Sequence, residues 1–362
     1  MAGSLKYYIG IGISAALLVL FVRTAGVRDM LDALADANYW YVIPAAVLYL
    51  GSTWFRTMRW SVLMRHMKPV GTHRLFPVVV VGYMANNLLP MRLGELVRSF
   101  YVSEREGISK ASALVTITIE RVFDALVLLA FIAVIAAFVP LTGLTRSFAD
   151  QSGIPAGILV AAGSLPFLGA FGTLVLFATA PARTQALMNR LVSPAPPRVR
   201  EGFANVVALF LEGLAPLRSP QMLALLFVMS IPIWLFEAGV FFLMAYPFDL
   251  NYVFGSVWDM GVTMVLVTAV TNIGSSVPAA PGGLGLFEII TRETLVLGPL
   301  AAVDRSVAAG YAIVLHAVIL LPMIILGQIF LWAGNISLGR LSSRGQEDEP
   351  VSTGTTEAAG DA

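Results

Sequence analysis

Long apolar runs separated by short polar connections fill most of the chain. Six read as membrane-spanning helices, which need roughly 20 mostly apolar residues; they run approximately from Tyr7 to Val22, Tyr39 to Phe55, Ala111 to Val139, Ile154 to Ala178, Gln221 to Tyr246 and Ser306 to Ala333. Two more runs are interrupted. Leu75 to Pro90 is short and ends in Asn86-Asn87-Leu88-Leu89-Pro90, while Gly255 to Gly285 contains Asn272, Gly274, Ser275, Ser276, Pro278, Pro281, Gly282 and Gly283. The pattern predicts an all-α, polytopic membrane protein of six long spans and two broken segments, which either both span or both re-enter. Lys6 precedes the first run and no clear small-residue cleavage site follows it, so a retained helix is expected rather than a signal peptide.

The connection 180–220 is longer and is split by Pro194-Ala195-Pro196-Pro197. After it, Phe203, Val206, Val207, Phe210, Leu211 and Leu214 recur at helical intervals, predicting an amphipathic helix that lies on the cytoplasmic membrane face or packs on its own protein. The membrane domain is expected to cover residues 1–335. The polar stretch 336–362, rich in Glu, Asp, Thr and Gly, is expected to be disordered.

Composition agrees with the pattern: 12% of residues are charged and the mean hydropathy is +0.81, against about 25% charged in soluble domains. A soluble enzyme, a disordered protein and, with no Cys, a disulfide-stapled module are excluded. A net charge of +1 provides no global field for nucleic acid. Basic residues instead cluster in short connections, at Arg56, Arg59, Arg65, Lys68 and Arg74, at Arg92, Arg98, Arg105 and Lys110, and at Arg183, Arg190, Arg198, Arg200 and Arg218. Arg340 and Arg344 follow the last run, whereas the connections 140–153 and 247–254 hold only Arg146. By the positive-inside rule both termini face the cytoplasm, in the cell membrane.

The two broken segments resemble each other. Pro90-Met91-Arg92-Leu93-Gly94-Glu95 and Pro281-Gly282-Gly283-Leu284-Gly285, with Glu288 three residues on, share Pro-x-x-Leu-Gly followed by Glu. Two interrupted helices in corresponding positions are the sign of an inverted repeat with a site near the midplane; two ordinary helix-breaking turns would read the same way. Helix starts after Gly94 and Gly285 would offer free N–H donors to an anion.

Five charges fall inside the apolar runs: Glu120, Arg121, Asp124, Glu237 and Asp259. Each is costly in lipid and is expected to face protein or an aqueous cavity. Glu120 and Asp124 share a helical face and, with Arg121, form a net negative stripe that either lines a functional cavity or locks helices together through Arg92 or Arg98. Arg92 and Arg98, beside the first break, are the candidate phosphate contacts; Arg56 and Arg59 are secondary candidates, and all four also fit simple positive-inside topology. Glu237 stands alone among aromatic residues, and a lone His316 in the last helix reads as a packing residue. Three His without metal-ligand spacing and no Walker motif lead us to expect no metal, no cofactor and no ATPase activity.

The segment Tyr83-Met84-Ala85-Asn86-Asn87-Leu88-Leu89-Pro90-Met91-Arg92-Leu93-Gly94-Glu95-Leu96-Val97-Arg98, then Glu120-Arg121-Val122-Phe123-Asp124, then Pro281-Gly282-Gly283-Leu284-Gly285-Leu286-Phe287-Glu288 resembles, in order, three motifs of the lysylphosphatidylglycerol synthase transmembrane region family of flippase-like proteins. The resemblance runs over roughly residues 5–335. Only a short polar stretch follows, so the aminoacyl-transfer activity of bifunctional members is not expected. The resemblance implies a module that translocates a phospholipid or polyprenyl-phosphate lipid, passively or with an ion gradient through Glu120 or Asp124. Its head group would meet Asn86, Asn87, Pro90, Arg92, Gly94, Glu95, Arg98, Glu120, Arg121, Asp124, Pro281, Gly282, Gly283, Gly285 and Glu288. The alternatives are an intramembrane lipid-modifying transferase with Glu120 or Asp124 as general base, or a lipid-binding scaffold for a lipid-modifying enzyme. Membrane lipids are the expected partners, and the oligomeric state is open.

Overall fold

A computed structural model describes residues 18–24, 26–89, 93–193, 196–276 and 281–334. No strand occurs among them, and five helices are long and apolar enough to cross a membrane. The chain is a polytopic helical membrane protein. Of the first predicted span only residues 18–24 are described, and they are helical. Helix α1 (Val27–Asp36) follows.

Helix α2 (Val42–Met64) corrects the second predicted span. A 3-10 turn occupies Tyr39–Tyr41, and the helix runs well past Phe55 through Arg56 and Arg59. It does so because its polar residues Ser52, Thr53, Arg56, Thr57 and Arg59 are buried against protein, where partners replace water. Next come α3 (Thr72–Leu88), α4 (Gly94–Glu106) and the 29-residue α5 (Lys110–Phe138). Helices α6 (Thr142–Ser152), α7 (Ala156–Thr179), α8 (Pro181–Leu191) and α9 (Pro197–Gly213) connect to a second series. That series contains α10 (Pro220–Ala245), α11 (Val257–Gly274), α12 (Leu286–Val296) and another 29-residue helix, α13 (Arg305–Ala333).

The predicted amphipathic helix is α9. It buries Val207 and Leu211 and packs on α5, with Ser112 donating to the Leu209 carbonyl, so this face lies on its own protein. In α7, by contrast, only Leu174 and Ala178 are buried. An apolar helix with so little protein contact must face lipid.

The order helix, broken hairpin, 29-residue helix thus occurs twice, and the copies interlock. Helices α2 and α10 run antiparallel: Gly239 faces Leu48, Ser52 donates to the Ile233 carbonyl at 3.1 Å, and Arg59 bonds Ser230. Helix α5 packs on α4 and α11, while α13 packs on α12 and α3, so each long helix touches its own hairpin and its counterpart's.

In the first hairpin α4 folds back on α3, so close that a Cβ on Gly94 would strike the Gly82 carbonyl and the Asn86 side chain. In the second, α11 runs unbroken to Gly274, 18 residues and long enough to span, and then breaks. Gly282, Gly283 and Gly285 have φ of 60°, 74° and 88°, a region that glycine enters without steric cost. The Gly285 N–H donates to Glu288 Oε2 at 2.7 Å, starting α12. The two breaks meet where Gly282 sits against the Asn87 carbonyl. Glu106 ties the open end of the first hairpin to Lys68 and Arg74, both at 3.3 Å; Glu293 ties the second to Arg305 at 2.6 Å.

Candidate functional site

Four helices of the interlocked halves bring eight charges together. Arg56 of α2 reaches Asp124 of α5 at 3.1 Å and Glu237 of α10 at 2.6 Å. One turn on, Arg59 reaches Asp124 at 2.8 Å and Glu120 at 3.8 Å, and also bonds Ser230. Arg98 of α4 lies 2.8 Å from Glu120, in contact but not aligned as a hydrogen bond. Arg121 closes the chain, bonding Glu95 at 3.1 Å and approaching Asp124 at 3.8 Å. All except Glu95 and Arg121, which are half-buried, are shielded from solvent.

Aromatic faces cover the arginines. Trp60 lies 3.7 Å from the Arg98 guanidinium, Trp234 lies 4.5 Å from that of Arg56, and Tyr83 stands between Arg56 and Arg121 at 6.0 and 5.7 Å. A desolvated cation over an aromatic face gains roughly 2 kcal/mol. The Trp60 indole N–H is itself fixed by Thr116 Oγ1 at 3.0 Å.

These contacts revise three sequence expectations. The stripe of Glu120, Arg121 and Asp124 is not net negative in its setting, because Arg56, Arg59 and Arg98 from other helices neutralise it. Glu237 is not alone, because antiparallel packing sets it against Arg56. Asp259 lies at the very start of its run: it sits in the first turn of α11, where its backbone N–H and side chain bond the Ser256 hydroxyl.

Val79, Gly82, Tyr83, Asn86, Gly94, Glu95, Arg98 and Arg121 line a cleft of about 10 Å³ at the first break. That is space for about one water, not for a head group. Among the described residues, Asn86 Oδ1 and Arg98 Nε in this cleft and Arg59 Nε in the charge network are buried without hydrogen-bond partners, a rare condition that marks sites where a ligand or water can bind.

The second break holds a separate group. His316 of α13 lies 2.7 Å from Glu288 and 3.0 Å from the Gly282 carbonyl, and its ring stacks on Phe287 at 4.1 Å. Its packing role carries an ionisable partner that spacing did not reveal. Asn87 touches this group through its carbonyl. Pro90 and Arg92 lie outside the described residues, as does the side chain of Pro281.

Trp60, Trp234 and Ser230 were not anticipated. Ser230, Trp234 and Glu237 recur every three to four residues on one face of α10, the periodic signal that could have found them.

Residues 7–327 match the lysylphosphatidylglycerol synthase transmembrane region family. The chain belongs to this family. Among relatives of this family member, glycosyltransferase AglD of Haloferax volcanii is 26% identical over 328 residues, which cover 84% of this chain and 50% of AglD. A UPF0104 membrane protein of Methanothermobacter thermautotrophicus is 33% identical over 125 residues, 34% of this chain and 36% of that protein. UPF0104 membrane protein MJ1595 of Methanocaldococcus jannaschii is 27% identical over 134 residues, 36% of this chain and 40% of that protein. The match thus spans half the length of AglD and less of the other two. No solved structure matches the chain.

Proposed function

We propose that the chain binds an amphipathic lipid with an anionic head group, a phospholipid or a polyprenyl phosphate, and carries that head group across the cell membrane without ATP. The observation that carries this reading is the meeting of two broken helices from oppositely running halves at Asn87 and Gly282, beside arginines and an Asn86 oxygen with unused bonding capacity. Irregular backbone at membrane depth is tolerated where it is buried or lines a polar path, and such breaks mark transporter sites.

The arginines are the natural phosphate ligands, since a guanidinium makes paired bonds to phosphate oxygens. In the closed cleft their carboxylate partners occupy that place. Glu120 and Asp124 therefore serve as counterions that a phosphate displaces, a role different from the coupling carboxylate expected of them. Lipid entry requires α4 to part from α5, opening the contact of Arg98 with Glu120. The hydrocarbon chain stays in the bilayer.

The transferase alternative casts Glu120 or Asp124 as general base, and both sit against arginine. The glycosyltransferase in the name of AglD describes a protein of which this chain matches half. The scaffold alternative predicts that the cleft can be altered without effect on lipid movement.

The test uses vesicles that contain fluorescent phosphatidylglycerol or a fluorescent polyprenyl phosphate, with outer-leaflet label destroyed by a membrane-impermeant reductant. The wild-type protein moves one of them. Asn86→Ala removes an oxygen that has no bonding partner among the described residues, so it leaves the fold intact and slows movement several-fold, the loss of about one hydrogen bond accepted from a head-group hydroxyl or a bound water. Arg98→Ala slows it further. Wild-type rates in both correctly inserted variants sink the site.

A further inference from the structure

We propose that Glu288 and His316 form a proton-binding site that holds the second broken helix against the first, and that loss of its proton releases the junction. The link to head-group passage rests on the translocation reading above; the proton count does not.

The count follows from the two contacts of the ring. His316 Nε2 lies 3.0 Å from the Gly282 carbonyl oxygen, which can only accept, so Nε2 carries a hydrogen. Nδ1 lies 2.7 Å from Glu288 Oε1. Either Nδ1–H donates to a carboxylate or a carboxylic O–H donates to Nδ1. Both arrangements hold one proton more than a neutral imidazole beside a carboxylate. The second carboxyl oxygen is already engaged by the Gly285 N–H, and both side chains are buried.

Glu288 also differs from the other buried carboxylates. Glu120, Asp124 and Glu237 are compensated by arginine; among the described residues, no ion pair joins Glu288 to an arginine or lysine. The neighbouring elements commit their charges elsewhere. On α12, Arg292 and Glu293 pair with each other, and Glu293 also pairs with Arg305 at the start of α13. Helices α2 and α10 spend Arg56, Arg59 and Glu237 on the ion-pair network, and α3 carries His73 and Arg74 at its opposite end. Arg28, Asp29, Asp32 and Asp36 of α1 are exposed. Tyr83 faces Arg56 and Arg121, and the Tyr311 hydroxyl donates to the Phe241 carbonyl. Of the titratable pairs described at the breaks, this one is free to exchange a proton.

The step balances as a proton transfer to water with no other bond broken. One N–H then remains for two acceptors. The carboxylate is the stronger, so Nδ1–H stays with Glu288, and Nε2 turns a lone pair to the Gly282 carbonyl, which repels it. Gly282 lies against the Asn87 carbonyl, and the glycines at 282, 283 and 285 let this backbone rearrange cheaply. Proton loss thereby loosens the junction of the two breaks.

The experiment uses the full chain with nitrogen-15 histidine in phosphatidylglycerol–phosphatidylethanolamine bilayers. Three His are present, and His316→Gln assigns the signal. Expected in the wild type is a protonated Nε2 with a second proton on Nδ1 or on the Glu288 carboxyl. That proton is lost on raising the pH, and the protection of the 282–285 amides, taken relative to the intrinsic base-catalysed exchange rate, falls at least about tenfold with it. Glu288→Gln keeps the shape and donates to Nδ1 from its amide, so its ring stays neutral and the protection at 282–285 no longer changes with pH. A wild-type ring that is neutral beside an ionised carboxylate from about pH 5 to about pH 9 overturns the proposal, as does an unchanged pH step in Glu288→Gln. The wild-type ring alone settles the count, so a poorly folding variant does not remove the test. Movement of fluorescent phosphatidylglycerol in the same bilayers separates the two readings: a wild type that moves no lipid yet shows the proton step overturns translocation and upholds the site.

Discussion

Gly94 has no room for a side chain. A methyl group there would enter the Gly82 carbonyl and the Asn86 side chain, and backbone cannot yield as a flexible side chain can. Gly94→Ala is therefore expected to destabilise by about 3 kcal/mol or more, beyond ordinary overpacking. Gly169→Ala in α7, where nothing lies within 4 Å, should be neutral or stabilise by up to about 1 kcal/mol through helix propensity. Thermal unfolding of both variants in detergent checks the pair, and equal melting temperatures would mean that α3 and α4 do not pack this closely. At Glu237 the reasoning is electrostatic. Removing one partner from a buried pair leaves the other uncompensated, at a cost of about 3–5 kcal/mol. Glu237→Gln should carry that cost, and Arg56→Met added to it should cost less than the sum of the single changes, because Asp124 keeps Arg59. A double-mutant cycle that adds fully would show that Arg56 and Glu237 do not couple.

At the scale of elements, a capped helix end reached by solvent gives a stability that depends on pH. Asp304 caps α13, accepting from the Ser306 and Val307 N–H groups at 2.8 and 3.2 Å. Partial burial opposes its charge, but these donors outweigh burial and hold the carboxyl below its ordinary value. A depressed carboxyl contributes stability above its unfolded value and loses it as pH falls through the folded one. The wild type should thus exceed Asp304→Ala by about 1 kcal/mol at neutral pH, a difference that shrinks under acid conditions below the usual carboxylate range. Melting curves of both proteins across pH decide it. Long apolar helices such as α5, α7, α10 and α13 were legible because their composition alone sets their environment. Helix α2 was not, since Arg56 and Arg59 read as a connection until their partners are known; the charge that ends a span in isolation continues it in a bundle.

The whole molecule explains which parts of the site could be read from the chain. Asn86, Gly94, Glu95 and Arg98 come from one short segment, so their proximity is a local fact, and Glu120 with Asp124 follows from helical period. Arg56 meets Glu237 across 181 residues, and His316 meets Glu288 across 28, encounters that depend on how the halves pack. That packing rests on the antiparallel contact of α2 with α10, and the absence of Cys from the chain makes it directly measurable. With thiols placed by Leu48→Cys and Gly239→Cys, which face each other, a short bifunctional thiol reagent should join the first half to the second. Leu48→Cys with Ser230→Cys should stay unjoined, because Ser230 lies beside Arg59, about three turns along α2. Cleavage at a protease site inserted between residues 193 and 196 would leave a full-length band only where the bridge has formed. Bridging of the second pair instead of the first would require α2 and α10 to be offset or parallel, and the charge network and the meeting of the breaks would both have to be abandoned.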